Sequence, residues 1–227
     1  MLTRFISPKE DTLTASVFGS LLHLPVEVFW QVLKASSSSP PGHPLPNLCG
    51  DPLTIEPWPK WSPDGTPNGR FVEPDLFIRF QSFDLIIEAK RWDGEMQNPA
   101  QWRAQVTAYG NDYGPDNQDV HYLAVGGLGF SSPQALPDWP EVSFHFLRWA
   151  SLLQQCQKIL SAMEQEECPS SQSRATQRIL DDVVDSLNLH GFASVLWFSG
   201  FTFPKSPVHS PSSSQLLTSL GAAIHLK

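Results

Sequence analysis

Apolar residues recur at three- and four-residue steps near the start of the chain. Leu13, Val17, Leu21 and Leu24 form one stripe, the period of an amphipathic helix. Ser7, Pro8 and Glu10 precede it as N-cap, first helical residue and closing acid of a capping box. Pro25 is expected to end it. A second short helix is expected over 28–35, then a Ser/Pro-rich loop over 36–46. Residues 53–58 read as a strand and the stretch up to 69 as turns. Two longer strands follow almost without a break, at 70–80 and 83–90. The pattern then predicts a helix over 99–109, a strand over 119–125 ending in Gly126-Gly127, and another strand over 142–147. Leu152, Cys156, Ile159 and Met163 predict a helix over 149–165. Ile179, Val183 and Leu187 predict one over 176–190, with Gly191 past its end. Trp197, Phe198, Phe201 and Phe203 read as core packing, ahead of a second Pro/Ser loop at 204–214. The expected fold class is α/β (α+β). A central mixed sheet flanked by helices occupies 1–147, and a mostly helical, aromatic extension over 148–227 packs on it.

The two abutting strands carry the chemistry. Side chains alternate across a strand, so Glu73 and Asp75 share one face, as do Glu88 and Lys90. A turn centred between Gln81 and Ser82 pairs Phe80 with Phe83, Asp75 with Glu88, and Glu73 with Lys90. Opposed residues have Cβ atoms about 4.5–5.5 Å apart, and opposed like charges are destabilising. A hard divalent cation relieves that repulsion, because Mg²⁺ binds through one or two carboxylates plus phosphate and water. Lys90 is then placed to orient or deprotonate an attacking water, or to stabilise charge on the phosphorus centre. A one-residue slip would put the two carboxylates on opposite faces. A plain surface pairing of Glu88 with Lys90, worth ~0.2–1 kcal/mol, leaves the Asp75–Glu88 opposition unexplained.

Composition limits the functions on offer. Lys+Arg total 15 against 23 Asp+Glu, a net charge of −8. That balance opposes a sequence-independent nucleic-acid coat protein, whose affinity comes from phosphate contacts. It is compatible with a carboxylate metal site, where bound cations offset the charge. Cys49, Cys156 and Cys168 form no CxxC pair, which excludes a disulfide framework and a cysteine-rich zinc site. His23, His43, His121, His145, His190, His209 and His225 show no metal-ligand spacing and read as incidental. The first residues lack an apolar signal core and no apolar run has membrane length, so a cytoplasmic protein without a membrane partner is expected.

Pro74-Asp75 on one strand and Glu88-Ala89-Lys90 at the end of the next, within a helix–strand–strand–strand–helix–strand order, resemble the PD-(D/E)xK nuclease superfamily of restriction-endonuclease-like proteins. Three other Pro-Asp pairs occur in turn-like contexts, whereas Glu88-Ala89-Lys90 is the only acid-x-Lys triplet in the chain. The resemblance covers roughly 7–147. It implies that Asp75, Glu88 and the Ala89 carbonyl bind Mg²⁺, with Mn²⁺ able to substitute, and that Lys90 serves the water. It also implies an acid from the first helix, matched by Glu10, and a glutamine from the helix after the motif, matched by Gln101 and Gln105. Gln105 with Tyr109 resembles a Gln-x-x-x-Tyr form of the motif. Glu10 has a competing role in the capping box, and the glutamines one as a polar helix face. Arg91 and Arg103 are candidate phosphate contacts, with Trp92 beside them.

The function implied is a Mg²⁺-dependent deoxyribonuclease, an endonuclease before an exonuclease, with defence against foreign DNA as its setting. DNA is the expected partner, with a targeting or activating protein and a homodimer as further expectations. Two alternatives stay open: a non-catalytic nucleic-acid- or partner-binding protein that reuses the nuclease fold, and an unrelated antiparallel α+β interaction module.

Overall fold

In the computed structural model the described residues are 9–92, 97–128 and 142–193. Ser7 and Pro8, the aromatic cluster from Trp197 to Phe203, and the loop at 204–214 lie outside them. Helix α1, Glu10–Leu21, starts from Lys9. Thr12, not Glu10, closes the first turn: its hydroxyl accepts from the Lys9 amide at 2.9 Å and donates to the Lys9 carbonyl at 2.8 Å. Pro25 separates α1 from α2, Val26–Ser36, as a residue without an N–H suits the N-cap boundary. Both helices turn their apolar stripes onto a sheet.

That sheet is mixed and six-stranded, with helices flanking it. Its strands are β1 (Ser37–Ser38), β2 (Thr54–Pro57), β3 (Leu76–Arg79), β4 (Phe83–Ala89), β5 (Asp119–Val125) and β6 (Val142–Leu147), in spatial order β1-β6-β5-β4-β3-β2. β2, β3 and β4 run antiparallel, whereas β4, β5 and β6 are parallel. The β4-to-β5 crossover is α3, Pro99–Tyr113, capped by the Asn98 side chain, as parallel neighbours require. α4, Trp149–Met163, and α5, Ser171–Leu189, follow β6. Every residue of β4 is buried. Leu85, Ile87 and Ala89 face a cluster shared with α1, α2, α4 and α5, while Ile86 faces Trp102, Tyr109 and Tyr122. None of the described helices is long and apolar enough to cross a membrane.

Several boundaries differ from the expectation, each for a local reason. The strand expected over 70–80 is broken at Pro74, which donates no ladder bond. Val72 instead bridges back to Trp61, and regular pairing resumes at Leu76. The loop expected over 36–46 contains β1, which pairs Ser37 with Leu147 and Ser38 with Phe146. α3 runs on to Tyr113, and α5 starts at Ser171 because Ser170 caps the Ser173 amide at 3.0 Å. The hairpin register is the expected one, with Leu76 opposite Ile87 and Arg79 opposite Asp84. Two of the histidines meet: His121 Nδ1 and His145 Nε2 lie 2.8 Å apart on β5 and β6, and Ser39 Oγ reaches His145 Nδ1 at 2.8 Å.

Asp84 is fully buried in β4. Arg79 grips both its oxygens at 2.9 and 2.7 Å, and the Tyr109 hydroxyl donates to it at 2.7 Å. Removing one member of a buried charge pair strands the other. Asp84→Ala is therefore expected to cost about 3–5 kcal/mol in urea unfolding. A loss below about 1 kcal/mol would show that Arg79 finds equal compensation in Asp116, its other partner.

Candidate active site

The β3–β4 ladder starts with Leu76 opposite Ile87, which leaves Asp75, just before β3, against the end of β4. Asp75 Oδ2 accepts from the Ala89 amide at 2.7 Å. In a strand, the N–H and C=O of one residue leave on the same side, so the Ala89 carbonyl also projects toward Asp75. Glu88, only 2% exposed, has both oxygens held. Oε1 accepts from Lys90 Nζ at 2.6 Å and from Gln101 Nε2 at 2.7 Å. Oε2 accepts from Gln105 Nε2 at 2.7 Å. Gln101 and Gln105 stand one turn apart on α3 and so present to the same point. The Tyr122 hydroxyl donates to Gln105 Oε1, which fixes the amide's orientation.

Glu10 also reaches this cluster. Its carboxylate lies 3.3 Å from Lys90 Nζ and accepts from the Arg91 amide at 3.2 Å. Thr12 performs the capping, so Glu10 is turned inward from α1. The expected Glu73–Lys90 pairing does not form. The break at Pro74 leads Glu73 away from β4, and it is exposed. Tyr109 lies one layer deeper than Gln105, on Asp84. Arg91 sits beside Lys90 with its guanidinium 4.3 Å from the Trp92 ring centre. Arg103 is exposed, two residues from both Gln101 and Gln105, and therefore on another side of α3.

Three further residues shape the site, and no motif marked them. Gln97 Nε2 donates to the carbonyls of Glu88, Val125 and Gly126 at 3.0–3.2 Å, and its Oε1 accepts from Trp102 Nε1 at 2.9 Å. It ties the ends of β4 and β5 to the start of α3. Trp149 Nε1 donates to the Lys90 carbonyl at 2.8 Å. Gly126, at φ +64°, lies so close to that carbonyl and to the indole that a Cβ would collide with both. The one available signal was the Gly126-Gly127 pair at a strand end.

Three acids surround one ammonium. Burial, and then the charge of Glu88, push Asp75 up to about 7, although the Ala89 amide and Lys90 pull the other way. Burial also raises Glu88, against the pull of Lys90 and Gln105. Burial alone would lower Lys90, but Glu88, Glu10 and Asp75 outweigh it and hold the ammonium above its ordinary value. The cluster is thus short of positive charge. Among the described residues, no three of His, Cys, Asp and Glu stand together as a complete metal cage. The hard oxygen donors that are present, two carboxylates and a carbonyl, fit Mg²⁺, which takes one or two carboxylates and completes its shell with water and phosphate.

No protein-family model matches the chain. A relative in Pasteurella multocida (strain Pm70), the uncharacterized protein PM0110, is 27% identical over an alignment that covers 83% of this chain and 72% of the relative. Among solved structures, a chain from an assembly of Thermococcus gammatolerans McrB AAA+ hexamers with bound McrC aligns with a TM-score of 0.30 at 11% identity. That alignment covers 70% of this chain, which spans about a third of the other, 32%.

Proposed function

We propose that the chain is a divalent-metal-dependent nuclease that hydrolyses phosphodiester bonds in DNA. The observation that carries this reading is the Asp75–Glu88–Lys90 cluster: two adjoining carboxylates at the ends of paired strands, under-neutralised, with an ammonium against one of them. Asp75, Glu88 and the Ala89 carbonyl would hold Mg²⁺, or Mn²⁺ in its place. When bound, the ion supplies Lewis-acid polarisation of the phosphate and offsets the acidic charge. In the metal-free site the surrounding acids hold the Lys90 ammonium above its ordinary value, and from there Lys90 would orient the attacking water and stabilise charge on the phosphoryl oxygens. The water oxygen bonds to phosphorus as one P–O ester bond breaks; the water gives up a proton to solvent, and the departing oxygen takes one up to leave as a hydroxyl. Gln101 and Gln105 keep the Glu88 carboxylate aimed, and Glu10 steers Lys90. Arg91, at the rim, is assigned to the substrate backbone. The setting, defence against foreign DNA, rests on the sequence resemblance alone.

Cleavage of supercoiled plasmid is expected with Mg²⁺ or Mn²⁺ and not with EDTA. Asp75→Ala, Glu88→Ala and Lys90→Ala should each lower it by more than about 100-fold while the proteins stay folded. Full activity in any one of them sinks the mechanism. Gln105→Ala frees one Glu88 oxygen and is expected to cost about 10–100-fold, through metal affinity. An unchanged Mg²⁺ requirement in that variant would remove Gln105 from the site.

Without metal, the Asp75–Glu88 pair should also leave a pH signature. Asp75 takes up its proton near pH 7 when folded but near 3.8 as an ordinary carboxyl. The folded state therefore binds more protons in that window, and this contribution to stability falls as pH rises from about 4 to 7. His121 and His145 are lowered by burial to about 4 and about 3. They act in the opposite sense below about pH 6.5, so the informative quantity is the difference between wild type and Asp75→Asn. In EDTA, wild type should lose Tm relative to Asp75→Asn as pH is raised through the window, and Mg²⁺ should recover it. Parallel Tm curves for the two proteins would refute the crowded-carboxylate account.

A further inference from the structure

β4 is followed by two cations in succession, and they leave toward opposite faces of the sheet. Glu88 and Lys90 share the face toward α3, where Lys90 and the two glutamines hold the Glu88 carboxylate. Arg91 is in phase with Ile87 and Ala89, whose face packs on the cluster shared with α1 and α5. Glu10 is engaged by the Arg91 amide, not by its side chain. The guanidinium lies over Trp92, 4.3 Å from the ring centre. No acid pairs with it among the described residues, and its Nε is buried without a hydrogen-bond partner.

α5 ends at the same place. His190, its C-cap, is 1% exposed, yet neither ring nitrogen has a hydrogen-bond partner among the described residues. The carbonyls of Ser186, Leu187 and Asn188 are already taken by the amides of His190, Gly191 and Phe192, so the helix end does not engage the ring. Gly191, at φ +93°, brings that end against Trp92: a Cβ on it would lie 3.3 Å from the indole. The Phe192 ring centre is 5.7 Å from that of Trp92. Trp92 thus joins the segment after β4 to the end of α5. Burial, and then the charge of Arg91, hold the imidazole below its ordinary value. A neutral imidazole keeps one N–H to donate. Buried polar atoms are nearly always paired, whereas these three nitrogens, Arg91 Nε and both of His190, are unpaired in one place.

We propose that Arg91 and His190 clamp a backbone phosphate of the substrate strand, the one next to the scissile phosphate. The guanidinium presents Nε and Nη donors in the fork that matches two phosphate oxygens, and the imidazole N–H adds a third bond. Trp92 holds the guanidinium plane in position. Lys90 and Arg91 are consecutive and leave toward opposite faces, so the scissile and the clamped phosphates lie to either side of one strand end. The assignment rests on the nuclease reading and adds His190 to it. It also gives a protein of net charge −8 a local hold on DNA.

The test is steady-state cleavage of a short DNA single strand and the matching duplex in Mg²⁺, with Tm measured in parallel. His190→Leu replaces the ring by an apolar side chain. It is expected to raise KM about tenfold or more while kcat stays within about twofold, because a contact to a non-reacting phosphate is equal in ground and transition states. Its Tm should hold or rise, since an unpaired buried polar group is removed. Arg91→Ala, at a half-buried position, should raise KM as well, independently of packing around His190. The double variant should raise KM by less than the product of the two singles, as expected of two donors to one group. A parent KM in His190→Leu overturns the clamp. So does a Tm below the parent's, which would show that the imidazole already has a structural partner, and so do multiplicative effects in the double variant. In each of these cases wild type still cuts, and the nuclease reading stands. Wild type that cuts neither DNA with Mg²⁺ or Mn²⁺ removes that reading and the clamp with it.

Discussion

A carboxylate taken out of water must find donors or a counter-charge, and Glu88 is almost completely buried at the end of an all-buried strand. Much of the surrounding structure answers that demand. α3 lies where its Gln101 and Gln105 amides reach both Glu88 oxygens, and Tyr122 on the next strand holds Gln105 in the orientation that donates. Lys90 folds back onto Glu88 from just beyond the strand. The Lys90 main chain is clasped by Trp149, close to a glycine that admits no side chain. Gln97 ties the Glu88 carbonyl to the neighbouring strand end. Helix position, strand end and turn chemistry are thus all bound to one buried group.

The same strand carries a second buried acid, and the contrast between them separates structure from chemistry. Asp84 meets a guanidinium that spans both its oxygens, and a tyrosine hydroxyl completes the set. It is matched and enclosed. Four residues further on, Glu88 and Glu10 share the single ammonium of Lys90, and Asp75 adds its charge beside them. A cluster left short of positive charge at the open end of parallel strands is unfavourable as a structural device. A divalent cation with its phosphate, as the proposed function requires, would relieve it.

The parallel half of the sheet carries that cluster at its edge. β4, β5 and β6 end in one row, and α4 starts just past the end of β6. α4 and α5 share the apolar cluster with α1 and α2.

Local pattern in the sequence was enough for the helices, for the existence of β2 to β6 and for the hairpin, but not for β1 or for where β3 begins. The alternation over 83–90 and the short turn at Gln81-Ser82 determine the register, because a side-chain period of two leaves one pairing that buries both apolar sets. That register in turn places Asp75 beside the end of β4. The i, i+4 spacing likewise put Gln101 and Gln105 on one helix face. Local pattern could not decide between two uses of a residue. Glu10 suited a capping box as well as it suited the cluster, and Lys90, eighty positions away, decided it. Glu73 was matched to Lys90 by alternation, yet Pro74 and a bridge to Trp61 took it elsewhere. Gln97, Trp149, Gly126 and the two-residue β1 belong to no period at all. Their roles arise where segments distant in sequence meet at the sheet's end, and such contacts exist only once the tertiary structure has formed.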